Sequence, residues 1–356
     1  MNIILISKTI YNYLHDKKET YNLSNHHIAR TVWELVEKYD WEYCIWEDIK
    51  EQKENLSSYF MNKFSEIPRY ALSVHYSKQL LDYEFPKEMI LLNICVDTIF
   101  GSRICNYKTR CWNKCEAIFS TYGYNIQKKM PKVDSNHIVY LPHSVYYQCK
   151  YNEKPINKLF VGGHIKNYPP RMFLHKLSKQ NKYKNMIDIK KPNIGYKVKE
   201  EEKSKTLFGQ SFVDKMNQYI ACFTDDVIGL DKKLIEECGG NGYIVAKHFE
   251  ILGSGSLLVS FNERTKDMFE LIGFIDGKHY ISVNEKNIVD KIEYILDPKN
   301  KKEIDKIRKD GQEFAIKNHN YKTRTNYIQQ WVTDKKKLDL KLHYNKRYDT
   351  KFILGK

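Results

Sequence analysis

The chain is 356 residues long, enough for two domains of ordinary size, and its 42% hydrophobic and 29% charged residues exclude an extended disordered protein. A net charge of +15 implies a partner that carries negative charge, whether nucleic acid, anionic lipid or a phosphorylated small molecule, and does not choose among them. The excess is mostly Lys in a chain also rich in Asn, Ile and Tyr, which equally fits coding bias toward A/T-rich codons.

No run approaches the ~20 apolar residues of a membrane span, and the opening MNIILISK has neither a signal-type apolar core nor a cleavage site, so the expected location is cytoplasmic. The eight cysteines are scattered without a CxxC pair, which reads as reduced thiols and not as a zinc site.

In chain order, Ile3 to Ile6 reads as a strand, a helix capped by Ser24 runs through Ile28, Val32, Leu35 and Val36, and a second strand spans Tyr43 to Trp46. Met89 to Val96, Ala117 to Ser120 and Ile138 to Leu141 continue a β-α-β rhythm as near-continuous apolar runs, the pattern of a parallel sheet covered on both faces. A first Rossmann-like domain is therefore expected over residues 1–150. A polar segment, Cys149 to Asn157, reads as a linker.

A second series starts at Leu159 to Gly163. It has helices at Arg171 to Ser178 and Phe208 to Tyr219 and strands at Ile220 to Phe223, Leu257 to Phe261 and Tyr280 to Val283. Helices at Ile288 to Leu296 and Lys301 to Lys317 complete a second domain over residues 151–330. A helix, Thr325 to Val332, with an apolar face of Tyr327, Ile328 and Trp331, and a basic tail follow, and residues 331–356 are expected to pack on the first domain through the tail's own apolar residues. The fold class is α/β: two doubly wound domains with their ligand loops facing one cleft.

The most informative stretch runs from Gly239 to Phe261. A glycine-rich loop leads into a short helix from about Ala246, and a Gly-Ser-Gly turn ends that helix before an apolar strand. The free N–H groups and positive dipole at such a helix start favour phosphate, and Lys247 adds a full charge. Glu250, three residues on, lies on the same face, where a carboxylate can take two vicinal ribose hydroxyls. The same pair would also serve as an ordinary solvated Lys–Glu pair.

The block AKHFEILGSGSLLVSF, followed by MFELIGFIDGKHYISV, resembles the C-terminal domain of group 1 glycosyltransferases of the GT-B fold, in particular their spore-coat-maturation-like branch. Leu159-Phe-Val-Gly-Gly-His-Ile-Lys-Asn-Tyr-Pro-Pro-Arg171 resembles the family's first C-domain strand and helix entry, and His319-Asn-Tyr-Lys-Thr-Arg324 its closing motif. The resemblance covers about residues 85–330 and implies transfer of a sugar from a nucleotide-diphosphate donor to a glycan, protein or lipid-linked acceptor. By resemblance, Glu250 binds the donor ribose, Lys247 and Arg171 neutralise the departing diphosphate, and the backbone at Gly162, Gly163, Gly253, Ser254 and Gly255 approaches the nucleotide. Where many retaining members carry a glutamate eight positions before Glu250, this chain has Gly242. The resemblance also implies retention and a C-terminal helix that crosses back to the first domain.

In the first half, three strand ends run into Asp97, Tyr122 and His143, which become candidates for acceptor positioning or proton handling. Asp97 and His143 are the catalytic candidates; Tyr122, His26 and His27 are cleft candidates. An ordinary helix cap or buried polar role competes with each. No Asp-x-Asp occurs, so no metal and no other cofactor is expected. The competing readings are a basic nucleic-acid-binding protein, for which no recognition signature is present, and a sugar-nucleotide epimerase or binder on the same fold. Membrane-surface contact is a further expectation for the basic tail.

Overall fold

A computed structural model describes residues 1–15, 26–50, 55–74, 79–95, 112–121, 137–163, 168–190, 209–226 and 243–334. The chain divides into two compact units: Met1–Pro142 joined by the stretch from Tyr321, and His143–Asn320.

The first unit holds strands β1 (Asn2–Ile6), β2 (Glu42–Ile45), β3 (Tyr70–Val74), β4 (Ile90–Cys95), β5 (Ala117–Ser120) and β6 (Ile138–Tyr140). Its helices are α1 (Lys8–His15), α2 (His26–Tyr39), α3 (Trp46–Ile49), α4 (Leu56–Phe64) and α5 (Gln79–Asp82). All strands pair in parallel in the order β2-β1-β3-β4-β5-β6. The sequence reading had no strand at β3. It is nevertheless central, and all five of its residues are buried, because the run Tyr70-Ala-Leu-Ser-Val follows Pro68 and fits a fully covered strand.

The second unit holds β7 (Ile156–Gly162), β8 (Ile187–Lys190), β9 (Tyr219–Asp225), β10 (Leu257–Phe261) and β11 (Ile281–Val283). Its helices are α6 (Pro169–Leu177), α7 (Gly209–Asn217), α8 (Ala246–Ser254), α9 (Lys266–Leu271), α10 (Ile288–Leu296) and α11 (Lys301–Asn318). The parallel order is β11-β10-β9-β7-β8. Leu159, Val161, Phe223, Val259 and Ile292 are among the side chains that fill the core between this sheet and its helices, and burial of each large aliphatic or aromatic side chain contributes about 1.5–3 kcal/mol.

The unit boundaries differ from those expected at residues 150 and 330. The stretch from His143 goes with the second unit: Val145 N–H donates to His319 O at 2.7 Å and Cys149 N–H to Gly253 O at 3.1 Å. At the other end the last helix, α12 (Tyr321–Asp334), joins the first unit. There Thr325 Oγ1 donates to Thr31 O at 2.8 Å, Trp41 Nε1 to Gln329 Oε1 at 2.8 Å, and Trp331 meets Phe119 edge to face. Ile328 and Trp331 are buried while Tyr327 is half-buried, so the apolar face read from the sequence is used. The basic tail from Lys335 lies outside the described residues. Among the described residues no helix is long and apolar enough to cross a membrane.

Candidate functional site

In the second unit the chain runs from β7 outward to β8 and then returns to place β9 on the other side of β7. The ends of β7 and β9 are therefore the topological switch point, where an open parallel sheet leaves a crevice for a ligand. Val161 pairs with Phe223, and continuing that register by two residues sets Gly163 beside Asp225.

Three elements bring charge to this point. Arg171, from the first turn of α6, is buried, and its Nη2 donates to Asp225 Oδ1 at 2.6 Å. Its guanidinium also lies 4.2 Å from the ring centroid of Tyr168. Lys247, from the first turn of α8, donates through Nζ to Gly162 O at 3.1 Å and lies 5.7 Å from the Phe212 ring. Glu250 stands one turn further along the same helix, half-buried like Lys247.

Glycine at 163 is required by both conformation and space. Its φ is +110°, and a Cβ there would sit 2.6 Å from Lys247 Nζ and 2.9 Å from Arg171 Nη1. Two cationic groups thus converge on one backbone position.

Burial sets the electrostatics. It pulls the Lys247 ammonium down to about 7, helped by the neighbouring Arg171 charge and opposed by Glu250 and Asp225. It pushes the carboxyls of Glu250 and Asp225 up, against the pull of Lys247 on the first and of Arg171 and Lys247 on the second. Asp226, next to Asp225, is raised to about 7 by burial although Thr265 Oγ1 and Arg264 N–H both donate to its Oδ2. An anion entering this cluster would favour the charged form of Lys247 and reduce the desolvation cost that now lowers it.

The start of α8 is fixed without a conventional cap. His248 Nδ1 accepts from Val245 N–H at 3.1 Å, and its Nε2 lies 3.1 Å from Ser260 Oγ. Burial lowers this ring to about 3, so it is neutral and serves to orient the turn that carries Lys247.

Of the residues read from the sequence, Gly162, Gly163, Arg171, Lys247 and Glu250 come together. Gly253, Ser254 and Gly255 stand at the other end of α8. They end α8, and its length of nine residues separates them from Lys247 by roughly 10 Å. Tyr147 O would lie 2.5 Å from a Cβ at Gly253, Gln312 packs under Gly255, and Ser254 Oγ donates to Ile251 O at 2.6 Å. These small residues permit close packing at a left-handed helix end.

His143 is buried at the first position of the second unit, and His27 is buried in the first turn of α2. His26 begins α2. Asp97, Tyr122 and the glycine loop including Gly239 and Gly242 lie outside the described residues. Asp225 and Asp226 were missed in the sequence. The only signal was their place at the end of an apolar run, and the expected strand stopped at Phe223. Among the described residues no group of three or more His, Cys, Asp or Glu is arranged to hold a metal.

Residues 172–330 match the glycosyl transferase-like family. That match covers most of the second unit and names no branch within the family, and the two parallel-sheet units have the GT-B fold of the solved structures that follow. A structure of Anabaena Alr3699/HepE in complex with UDP and glucose has a TM-score of 0.56 at 9% identity, covering 94% of this chain and 100% of that one. A glycosyltransferase from Rickettsia africae gives 0.53 at 9% identity, covering 94% of this chain and 98% of that one. TarM gives 0.52 at 12% identity, covering 78% of this chain; the match spans only 57% of the TarM chain. No curated protein sequence matches the chain.

Proposed function

We propose that the protein transfers a sugar from a uridine-diphosphate sugar held by its second unit to a glycan acceptor, with retention and without a divalent metal. The observation that carries this reading is the convergence of Lys247 Nζ and Arg171 Nη1 over Gly163 at the switch point, with Glu250 one turn away. Uridine is favoured because HepE, of the same fold, binds UDP.

In the reaction the bond between the sugar's anomeric carbon and the diphosphate oxygen breaks, and its electron pair stays on the diphosphate. Charge develops on that oxygen as it departs. Two fixed cations aimed at this position stabilise the transition state more than the ground state, which is the requirement for catalysis. The acceptor hydroxyl forms the new bond and loses its proton. Glu250 takes the ribose hydroxyls, while Asp97 and His143 are the candidates for orienting the acceptor and handling its proton.

A thermal-shift series with the diphosphates of uridine, guanosine, adenosine, cytidine and thymidine tests the donor site. At about 100 times its dissociation constant the right one adds about 2.7 kcal/mol to the native state. No shift with any of them at millimolar concentration rules the assignment out. Transfer should also survive EDTA, since cationic side chains take the part of the metal. Loss on chelation with recovery in magnesium or manganese would contradict that half of the proposal.

A further inference from the structure

The donor site contains a carboxylate whose charge works against an incoming phosphate, and its geometry explains why it is there. Asp225 ends β9 with its side chain wholly buried. One oxygen, Oδ1, accepts from Arg171 Nη2 at 2.6 Å, whereas the other, Oδ2, has no hydrogen-bond partner. A purely structural Arg–Asp pair gains most from a two-point contact, with both nitrogens of the fork on both oxygens. Here the fork is divided. Nη2 is on Asp225, while Nη1 lies 2.9 Å from where a Cβ on Gly163 would sit, the point that Lys247 Nζ approaches to 2.6 Å. The Tyr168 ring, 4.2 Å from the guanidinium carbon, restrains the same group through its face.

We propose that Asp225, assisted by Tyr168, is a positioning residue for the donor diphosphate: it anchors one arm of the Arg171 guanidinium so that the other is held over Gly163 beside Lys247. This rests on the donor-site reading above and adds to it the residue that fixes the geometry. An unanchored arginine on a flexible stem would have to be ordered by the ligand itself, and the cost of ordering would be subtracted from affinity. Anchoring moves that cost into folding. Because Asp225 is buried and engages the guanidinium from the β9 side, it acts through Arg171.

Two physical effects of removing this carboxylate have opposite signs. Loss of a negative charge near the phosphates should tighten a diphosphate by Coulomb's law. Loss of the anchor should weaken it. The inference commits to the second.

The test measures UDP and uridine binding by calorimetry on the full chain, together with kcat and KM. Wild type should bind UDP more tightly than uridine, and Asp225→Asn should lower UDP affinity by roughly tenfold or more while leaving uridine unchanged. Arg171→Ala should do the same, and the double variant should be no weaker than Arg171→Ala alone, because Asp225 has nothing left to position. If Asp225→Asn does not fold, Tyr168→Leu, which loosens the same guanidinium from its other side, is to be read instead and should shift UDP affinity in the same direction.

An unchanged UDP-to-uridine ratio in a folded variant overturns the proposal, as does tighter UDP binding or additive losses in the double variant. If wild type itself does not prefer UDP to uridine, the donor-site reading fails first and this inference falls with it.

Discussion

The two units share one topological plan and use it with different chemistry. In each, the first strand is flanked by the second on one side and the third on the other, so the crevice falls at β1 and β3 in the first unit and at β7 and β9 in the second. Among the described residues at the first crevice, the buried polar ones carry hydroxyls and an amide: Ser7 follows β1 and Ser73 lies near the end of β3, with Asn93, Ser120 and Thr121 at the neighbouring strand ends. At the second they are Gly163, Asp225 and Asp226, with Arg171 and Lys247 reaching in. Topology supplies a crevice, and the side chains decide its ligand. Two converging cations suit a diphosphate.

The comparison is broken most sharply by filling the second crevice. Gly163→Ala adds a Cβ where Lys247 Nζ and Arg171 Nη1 meet and strains a φ of +110°, with a backbone cost on the order of 1–3 kcal/mol. UDP affinity should fall by about 100-fold or more, read by calorimetry. Retained affinity would mean that the cations do not act at this point.

A pH series sharpens the contrast. With Lys247 lowered to about 7 by burial, UDP affinity should be greatest below that pH and fall by up to about tenfold per unit above it, as the amine loses its proton. Lys247→Arg should flatten the profile because a guanidinium remains charged. The stability of the unliganded protein should carry the opposite sign. From about 7 up to the ordinary lysine value the unfolded chain binds the extra proton, so this group's contribution makes the folded state more stable as pH rises. Denaturant midpoints for wild type and Lys247→Met across that range provide the check.

The smallest effect belongs to the first crevice. Ser7 Oγ accepts from Ile10 N–H at 3.2 Å and caps α1. Ser7→Ala should therefore cost about 0.5–2 kcal/mol of stability and leave UDP affinity unchanged. A loss of UDP binding would show that phosphate is handled in the first unit too.

Much of this architecture was readable from local pattern. The runs at Ala117 to Ser120, Leu257 to Phe261 and Ile288 to Leu296 form elements with the same limits as expected, because apolar periodicity and local stop signals define such elements without distant contacts. Tyr70 to Val74 and Ile187 to Lys190 escaped notice: each is a run of four or five residues with weak boundaries, and pairing with neighbours makes it a strand.

The candidate site divides in the same way. Lys247 and Glu250 were legible because the spacing that puts them on one helix face is local, as is the glycine at 163 next to an apolar strand. Asp225 was not, since its significance comes from Arg171, 54 positions earlier, reaching it across the sheet. Nor did the run Gly253 to Gly255 disclose how closely Tyr147 and Gln312 pack against it. The sequence by itself determined the rhythm of strands and helices, the second unit's helix-start cation and carboxylate, and a fold of two doubly wound domains. Only the tertiary structure decided that Arg171 is divided between Asp225 and Gly163 and that burial lowers Lys247 toward 7. Those outcomes depend on distance and desolvation, which are properties of packed neighbours and not of position along the chain.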